Sequence, residues 1–243
     1  MRQTELFSDL QRALSGNRLE PYLSQSTQRD TDVALATYLW NLALCESLYP
    51  SLHGIEVSLR NSIHDTASRK FGNEFWFTSH LVGREKENIE KIGQGFSRRN
   101  IEATPGKYVS ECNFGFWVSL FKSEYELTLW RILTGDVFPY APRQARTRSL
   151  LRARLDGIRR LRNRVFHFEP IWQLPDLSQQ HIEILETIGW INPTFREMTE
   201  TVDRFPQVFD DGPAAYQARL NTLGQLPQSE SETAMPSRGN ENE

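Results

Sequence analysis

Arg162, Asn163 and His167 stand within one short stretch, RNRVFHFEP (residues 162–170), that closes on Pro170. A guanidinium keeps its positive charge at any physiological pH, and an imidazole is the side chain most easily tuned to exchange a proton near neutrality. An amide beside them can hold local geometry. This is a set suited to a phosphodiester: a fixed cation for the charge on phosphorus and a group that moves protons. Asn163 and His167 lie one helical turn apart, and the negative end of a helix dipole favours a protonated imidazole in a last turn.

These residues need a helix to position them. Projected at the helical period, Ser149 to Phe168 puts Leu151, Leu155, Ile158 and Val165 on one apolar arc, with Leu150, Leu161 and Phe168 along its flank. Arg162 falls in the middle of that arc. Burying an unpaired guanidinium is costly, so its position calls for an anionic partner: a carboxylate, a group from a second subunit or a ligand phosphate. The segment also carries Arg143, Arg146, Arg148, Arg152, Arg154, Arg159, Arg160 and Arg164 against one acid, Asp156, although the chain as a whole has a net charge of −3. Such a local field attracts phosphate. A solvated arginine face is the plainer reading of the run by itself. Glu169 either pairs with a nearby arginine or helps to position His167.

The rest of the chain reads as helices. Glu5 to Leu14 forms a first candidate, stopped by Ser15, Gly16 and Asn17, with Pro21 opening the next segment. Leu35, Leu39, Leu42 and Tyr49 mark a core helix from Asp32 to Pro50, and Leu52, Ile55, Leu59 and Ile63 mark another running to Phe71 and Gly72. Arg84 to Ile92 is a shorter helix, followed by an exposed connection through Gly93, Gly95, Arg98, Arg99, Asn100 and Pro105. Asn113 can cap Phe114 to Phe121, and a second pattern through Leu127, Trp130 and Leu133 stops near Gly135. Phe116, Trp117 and Trp130 are assigned to packing rather than to base stacking. After the break at Pro139 to Pro142 comes the long basic helix ending at Pro170, then Leu177 to Ile191 and Pro193 to Phe205. Ala214 to Leu223 makes a small peripheral helix before a polar tail expected to be disordered. The fold class is therefore all-α, a helical bundle with additional helices and a flexible C-terminal tail, divided into residues 1–205 and a peripheral segment at 206–243.

Several functions are excluded at this level. The longest apolar stretches, such as Phe114 to Phe121, are too short to span a bilayer, and the N-terminus lacks the apolar core of a signal peptide, so a cytoplasmic protein without membrane contact is expected. Cys45 and Cys112 have no C-x-x-C spacing and read as reduced structural thiols, with no metal site and no cofactor. No Walker loop, GxGxxG fingerprint or serine nucleophile elbow occurs. His53, His80 and His181 read as surface or packing residues.

The spacing R-N-x-x-x-H at 162–167 resembles the signature of HEPN-domain ribonucleases. Three blocks, LHGIEVSLRN (52–61), NFGFWVSLF (113–121) and RNRVFHFEP (162–170), resemble in chain order the Abi-like, abortive-infection branch of that superfamily. The likeness extends over most of Thr31 to Phe205 and identifies residues 1–205 as an Abi-like HEPN domain. It implies a metal-independent endoribonuclease in which the ribose 2′-hydroxyl attacks the adjacent phosphate, leaving a 2′,3′-cyclic phosphate and a 5′-hydroxyl. Arg162, Asn163 and His167 would be the catalytic set. The implied setting is abortive infection or antiphage defence, or a toxin held by a cognate antitoxin or released by a phage-derived trigger. The alternative is a HEPN-like module that binds RNA or protein without cutting.

Glu56, Arg60 and His64 recur every four residues, with Asn61 alongside, and such a set is ordinarily an ion-paired surface ladder. The resemblance adds another possibility, that this face adjoins Arg162 and His167, with Glu56 orienting Arg60 or His167 and Arg60 touching phosphate. Arg160 and Arg164 would add phosphate contacts. Five helical steps set Arg162 and His167 about 140° apart on a regular helix. A homodimer with a composite site, pairing Arg162 of one copy with His167 of the other, resolves that geometry, and a distorted final turn is the alternative.

Overall fold

The computed structural model describes residues 11–26 and 29–223, and all regular structure among them is helical. The helices are α1 (Gly16–Gln25), α2 (Thr31–Ser47), α3 (Tyr49–Phe71), α4 (Phe77–His80), α5 (Gly83–Arg98), α6 (Pro105–Glu111) and α7 (Phe114–Ser119). A 3-10 turn (Ser123–Tyr125) and a π-helical turn (Glu126–Trp130) lead into α8 (Arg131–Val137), and a second 3-10 turn (Arg143–Ala145) precedes α9 (Arg148–Phe166). Then follow α10 (Leu177–Ile191), α11 (Pro193–Glu200), α12 (Phe205–Asp211) and α13 (Ala214–Leu223).

The chain groups into two compact units. One spans residues 40–210; the other joins residues 1–39 to 211–243. Residues 205–210 of α12 belong to the larger unit. The Trp40 indole N–H donates to the Val208 carbonyl at 2.8 Å, and Phe209 packs on both Trp40 and Phe205. In the smaller unit, Tyr22 of α1 meets Tyr38 edge-on at 5.4 Å, and Arg29 makes a two-pronged bond to Glu20. Of the first expected helix, residues 5–10 lie outside the described residues, and 11–14 are helical. Pro21 falls inside α1 instead of opening it. The polar tail, 224–243, also lies outside the described residues.

In the larger unit α3 is central. Leu52, Ile55, Leu59, Ile63 and Ala67 give it a continuous buried face, and Gly72, at φ 64°, closes it in the left-handed region. Gly54 permits close approach of α10 and α11: a Cβ there would stand 3.0 Å from Ile188 Cδ1 and 3.2 Å from Thr199 Oγ1. Phe114, Trp117, Phe121 and Trp130 are buried, as the packing assignment expects. The Asn113 side chain caps α7 by accepting the Phe116 N–H at 3.0 Å.

Four expectations need correction. In α2 Leu35 is buried as expected and the inward face runs on through Asn41 and Leu44, whereas Leu42 and, beyond the helix, Tyr49 are exposed. The polar Asn41 disguises that face, and its buried Oδ1 accepts the Ile171 and Trp172 N–H groups at 2.8 and 3.2 Å. Tyr49 belongs to α3, whose first turn carries Pro50, so the register of α2 does not extend to it. Gly93 and Gly95 lie within α5 rather than in a connection; at Gly93 a Cβ would come 2.5 Å from the Tyr108 hydroxyl, so the glycine admits α6. The expected helix from Pro193 to Phe205 ends at Glu200, and Phe205 instead opens α12, its N–H accepted by Asp203 Oδ1 at 3.0 Å.

The fourth correction concerns the basic helix. Thr147 caps α9 at its start, accepting the Leu150 N–H, and Leu151, Leu155, Ile158, Leu161 and Val165 are its buried stripe. It ends at Phe166, four residues before Pro170. Phe168 turns to φ 60°, with its N–H bonded to the Val165 carbonyl at 3.2 Å and the Glu169 N–H to the Arg164 carbonyl at 2.9 Å. This is the paired-bond helix stop that glycine usually makes. Pro170 disfavours helical backbone at Glu169, so the chain must leave the helix earlier.

Candidate functional site

Helix α9 carries Arg162 on its core-facing side, and the anionic partner its position demands is Glu56 of α3. Arg162 Nε lies 3.5 Å from Glu56 Oε2, with both side chains about one-quarter exposed. The guanidinium carbon also sits 4.4 Å from the centre of the Phe166 ring, a cation–π contact along one helical turn. Yet Nε is buried without a hydrogen bond. The cation is held by charge and stacking while this donor stays unsatisfied.

His167 is the residue that caps α9, and its imidazole is exposed. Its backbone N–H bonds to the Asn163 carbonyl at 2.8 Å. The next residue, Phe168, is a bulky side chain at positive φ, a conformation that costs roughly 1–2 kcal/mol outside glycine. Asn41 then anchors Ile171 and Trp172, so the stretch bearing His167 is tied at both ends. Asn163 is half-buried on α9, and Arg164 reaches Glu169 at 3.6 Å across the turn, which gives Glu169 an arginine partner.

The periodic set on α3 divides among three environments. Glu56 turns to Arg162. Arg60 Nε donates a long 3.4 Å bond to Asn61 Oδ1. His64 accepts the Trp76 indole N–H at Nδ1, 3.3 Å away, beside Phe77, and burial holds its pKa below the ordinary 6.5. His64 is a packing residue, because the aromatic cluster of α4 approaches the far end of α3. The expected adjacency to the α9 motif therefore holds for Glu56, in the role of partner to Arg162 rather than to Arg60 or His167.

The arginine run divides as well. Arg148 donates to the Phe121 carbonyl at 2.9 Å and pairs with Glu126 at 3.0 Å; Arg152 donates to the Val118 carbonyl at 3.0 Å and pairs with Asp156. Arg146 caps the Ala141 and Pro139 carbonyls, Arg154 pairs with Glu186 while stacking on Trp190, and Arg159 pairs with Asp156. Arg160 is exposed. It lines an open groove of about 420 Å³ between α9 and α10, where Arg154, Arg160 and Arg164 face Asp176, Gln180 and Glu183.

Three further features escaped the sequence reading. Tyr49 and His53 stack at 5.9 Å, and Tyr49 meets Phe166 edge-on at 6.5 Å. Pro50 was the available signal, since a proline in a first turn marks Tyr49 as the start of a new helix. His181 and Asp203 are buried together, Nε2 to Oδ2 2.9 Å, out of line for a ring N–H bond, against Phe205; burial lowers the imidazole pKa although Asp203 acts to raise it. Glu85 is buried on Lys122 at 2.7 Å and the Tyr125 hydroxyl at 3.2 Å. Burial acts to raise the Glu85 pKa, but the bond from Lys122 helps to hold it below the usual carboxylate value.

Cys45 and Cys112 are free thiols, and burial pushes their pKa values up to about 11 and about 12, so both are poor nucleophiles. Among the described residues no group of three or more His, Cys, Asp or Glu side chains is placed to hold a metal ion, and no helix is long and apolar enough to cross a membrane. Compared with protein-family models, with curated proteins and with solved structures, the chain matches none.

Proposed function

We propose that the chain is a metal-independent endoribonuclease of the HEPN type, Abi-like in its sequence blocks, with Arg162 and His167 as its catalytic pair. The observation that carries this reading is the placement of Arg162: a guanidinium held by Glu56 and Phe166 on the last turns of α9, about one-quarter exposed, on the helix that ends at the exposed His167. The part of the guanidinium that stays exposed can offer charged N–H donors to a phosphate oxygen. His167 is exposed at the end of the same helix, where a side chain can exchange protons with substrate.

In the reaction, the ribose 2′-hydroxyl gives up its proton as its oxygen bonds to phosphorus. The bond from phosphorus to the 5′-oxygen breaks, and that oxygen takes up a proton. Products are a 2′,3′-cyclic phosphate and a 5′-hydroxyl. His167 serves one of the two proton transfers, Arg162 stabilises charge on the phosphoryl oxygens, and Asn163 holds the turn. With α9 ending at Phe166, two copies related by a two-fold axis would bring Arg162 of one to His167 of the other, so the active species is a homodimer. Abortive infection, with an antitoxin or phage-derived trigger restraining the activity in the cytoplasm, is the biological setting the sequence blocks suggest.

The second reading is a module that binds RNA or protein without cleaving it. It is favoured by the Arg162–Glu56 pair, which gives the arginine a structural partner within the fold. The deciding experiment incubates transfer, ribosomal and messenger-like RNAs in EDTA with wild type, Arg162→Ala and His167→Ala proteins of verified fold. Cleavage by wild type alone supports the enzyme; RNA retained intact by all three supports the binding module.

A further inference from the structure

At the outer edge of the site four side chains form a row. His53 stacks on Tyr49 at 5.9 Å with planes 27° apart, Tyr49 meets the Phe166 ring edge-on at 6.5 Å, and Phe166 lies under the Arg162 guanidinium at 4.4 Å. Two helices build it, each with residues one turn apart: Tyr49 and His53 on the first turns of α3, Arg162 and Phe166 on the last turns of α9. The outer part is open to solvent, with Tyr49 55% and Phe166 41% exposed and His53 exposed beside them. The usual fate of an aromatic stripe in this chain is the core, as Phe116, Trp117 and Trp130 show. This row is not in the core.

Resting on the ribonuclease reading above, we infer that Tyr49, His53 and Phe166 form a stacking shelf for an unpaired nucleobase next to the scissile phosphate, so that the substrate is single-stranded RNA. Ring faces bind any base through its π surface, and a cation at the inner end of the row suits the phosphate that follows the base. In a duplex the bases are already stacked on one another and cannot reach a shelf. Close to the row in sequence stand Glu46, Glu56 and Asn163 as well as the exposed Phe168, while Arg160 and Arg164 line the separate groove between α9 and α10. A narrow row of three rings with a guanidinium at one end matches a base and its phosphate better than it matches the broad apolar patch of a protein partner.

The test uses the full chain and a fluorescein-labelled 2′-O-methyl oligoribonucleotide, single-stranded or annealed to its complement; the methyl group blocks the nucleophile, so binding is read without cleavage. Anisotropy should show wild type preferring the single strand. Tyr49→Ala should weaken that binding about 10-fold, as loss of one stacked base does, with Tyr49→Phe restoring it and helical content unchanged. His53→Ala should give a smaller loss in the same direction. Wild type that prefers the single strand while Tyr49→Ala binds it equally well overturns the shelf and leaves the RNA reading intact. Tyr49→Ala that loses self-association in sedimentation, with monomer-level RNA binding preserved, assigns the row to a second copy of the chain instead. Wild type that binds neither form of RNA removes the RNA reading and the shelf with it.

Discussion

The two ends of α9 carry the same residue type into opposite environments. In its first half Arg148 and Arg152 reach across to the Phe121 and Val118 carbonyls and to Glu126 and Asp156, and Arg154 lies between Glu186 and Trp190. In its last turns Arg160 is exposed in a groove, Arg162 has a long ion pair and an unsatisfied Nε, and Arg164 has a loose, exposed pair at 3.6 Å. Counting arginines along the sequence treats the run as one basic surface. What neighbouring elements place opposite each guanidinium decides which ones hold the fold together and which keep donors for a ligand.

The largest expected effect tests the C-terminal end. His167→Ala should lower RNA cleavage by about 10²- to 10⁴-fold, the usual worth of a proton-transfer group. Since the imidazole is exposed, thermal denaturation should change little. Arg162→Ala should follow with a loss on the order of 10²- to 10³-fold, measured as single-turnover cleavage. Retention of cleavage by both would return the C-terminal arginines to the structural class and end the contrast.

The N-terminal end should show the reverse pattern. Arg152→Ala leaves the Val118 carbonyl without its charged donor and Asp156 without one of its partners, so denaturant unfolding should show a loss of roughly 1–3 kcal/mol while cleavage per folded molecule persists. A loss of cleavage at unchanged stability would mean that the basic helix acts as one surface after all.

The helix stop offers a finer test. Phe168→Val places a β-branched residue at φ 60° and should cost roughly 1–2 kcal/mol, whereas Phe168→Gly should unfold at or above the wild-type temperature. Equal melting of both variants would mean that the turn bearing His167 is not strained.

The smallest effect extends the contrast to histidines. His181 is buried and burial lowers its pKa below the ordinary 6.5, so the unfolded chain binds more protons than the folded one in the window just below 6.5. Its contribution to stability is present above that value and declines as pH falls through the window to the folded pKa. His181→Gln should flatten the stability profile there in urea titrations, and a slope unchanged by the substitution would remove His181 from the acid response.

Legibility followed the kind of interaction. The long apolar period of α3, the Asn113 cap and the Leu177–Ile191 helix could be read from the chain because caps and periodic burial are local properties. The inward face of α2 was misread because its buried Asn41 is satisfied by Ile171 and Trp172, more than a hundred residues away. Gly93 looked like a loop signal because its partner, the Tyr108 hydroxyl, is on another helix. Tyr49 looked like core because a helix boundary at Leu48 breaks the period that carries it.

By itself the sequence determined the helical class, the places where most helices start, and the need for an anion beside Arg162, since propensity, caps and the cost of burying a charge act over a few residues. Tertiary structure alone decided that the anion is Glu56, that His64 packs under Trp76, that most of the arginine run is engaged in carbonyls and carboxylates, and that Tyr49, His53 and Phe166 meet at the surface. Arg162 and Glu56, Phe166 and Tyr49, and Arg148 and Phe121 lie far apart in the chain, and only the packing of helices brings them together.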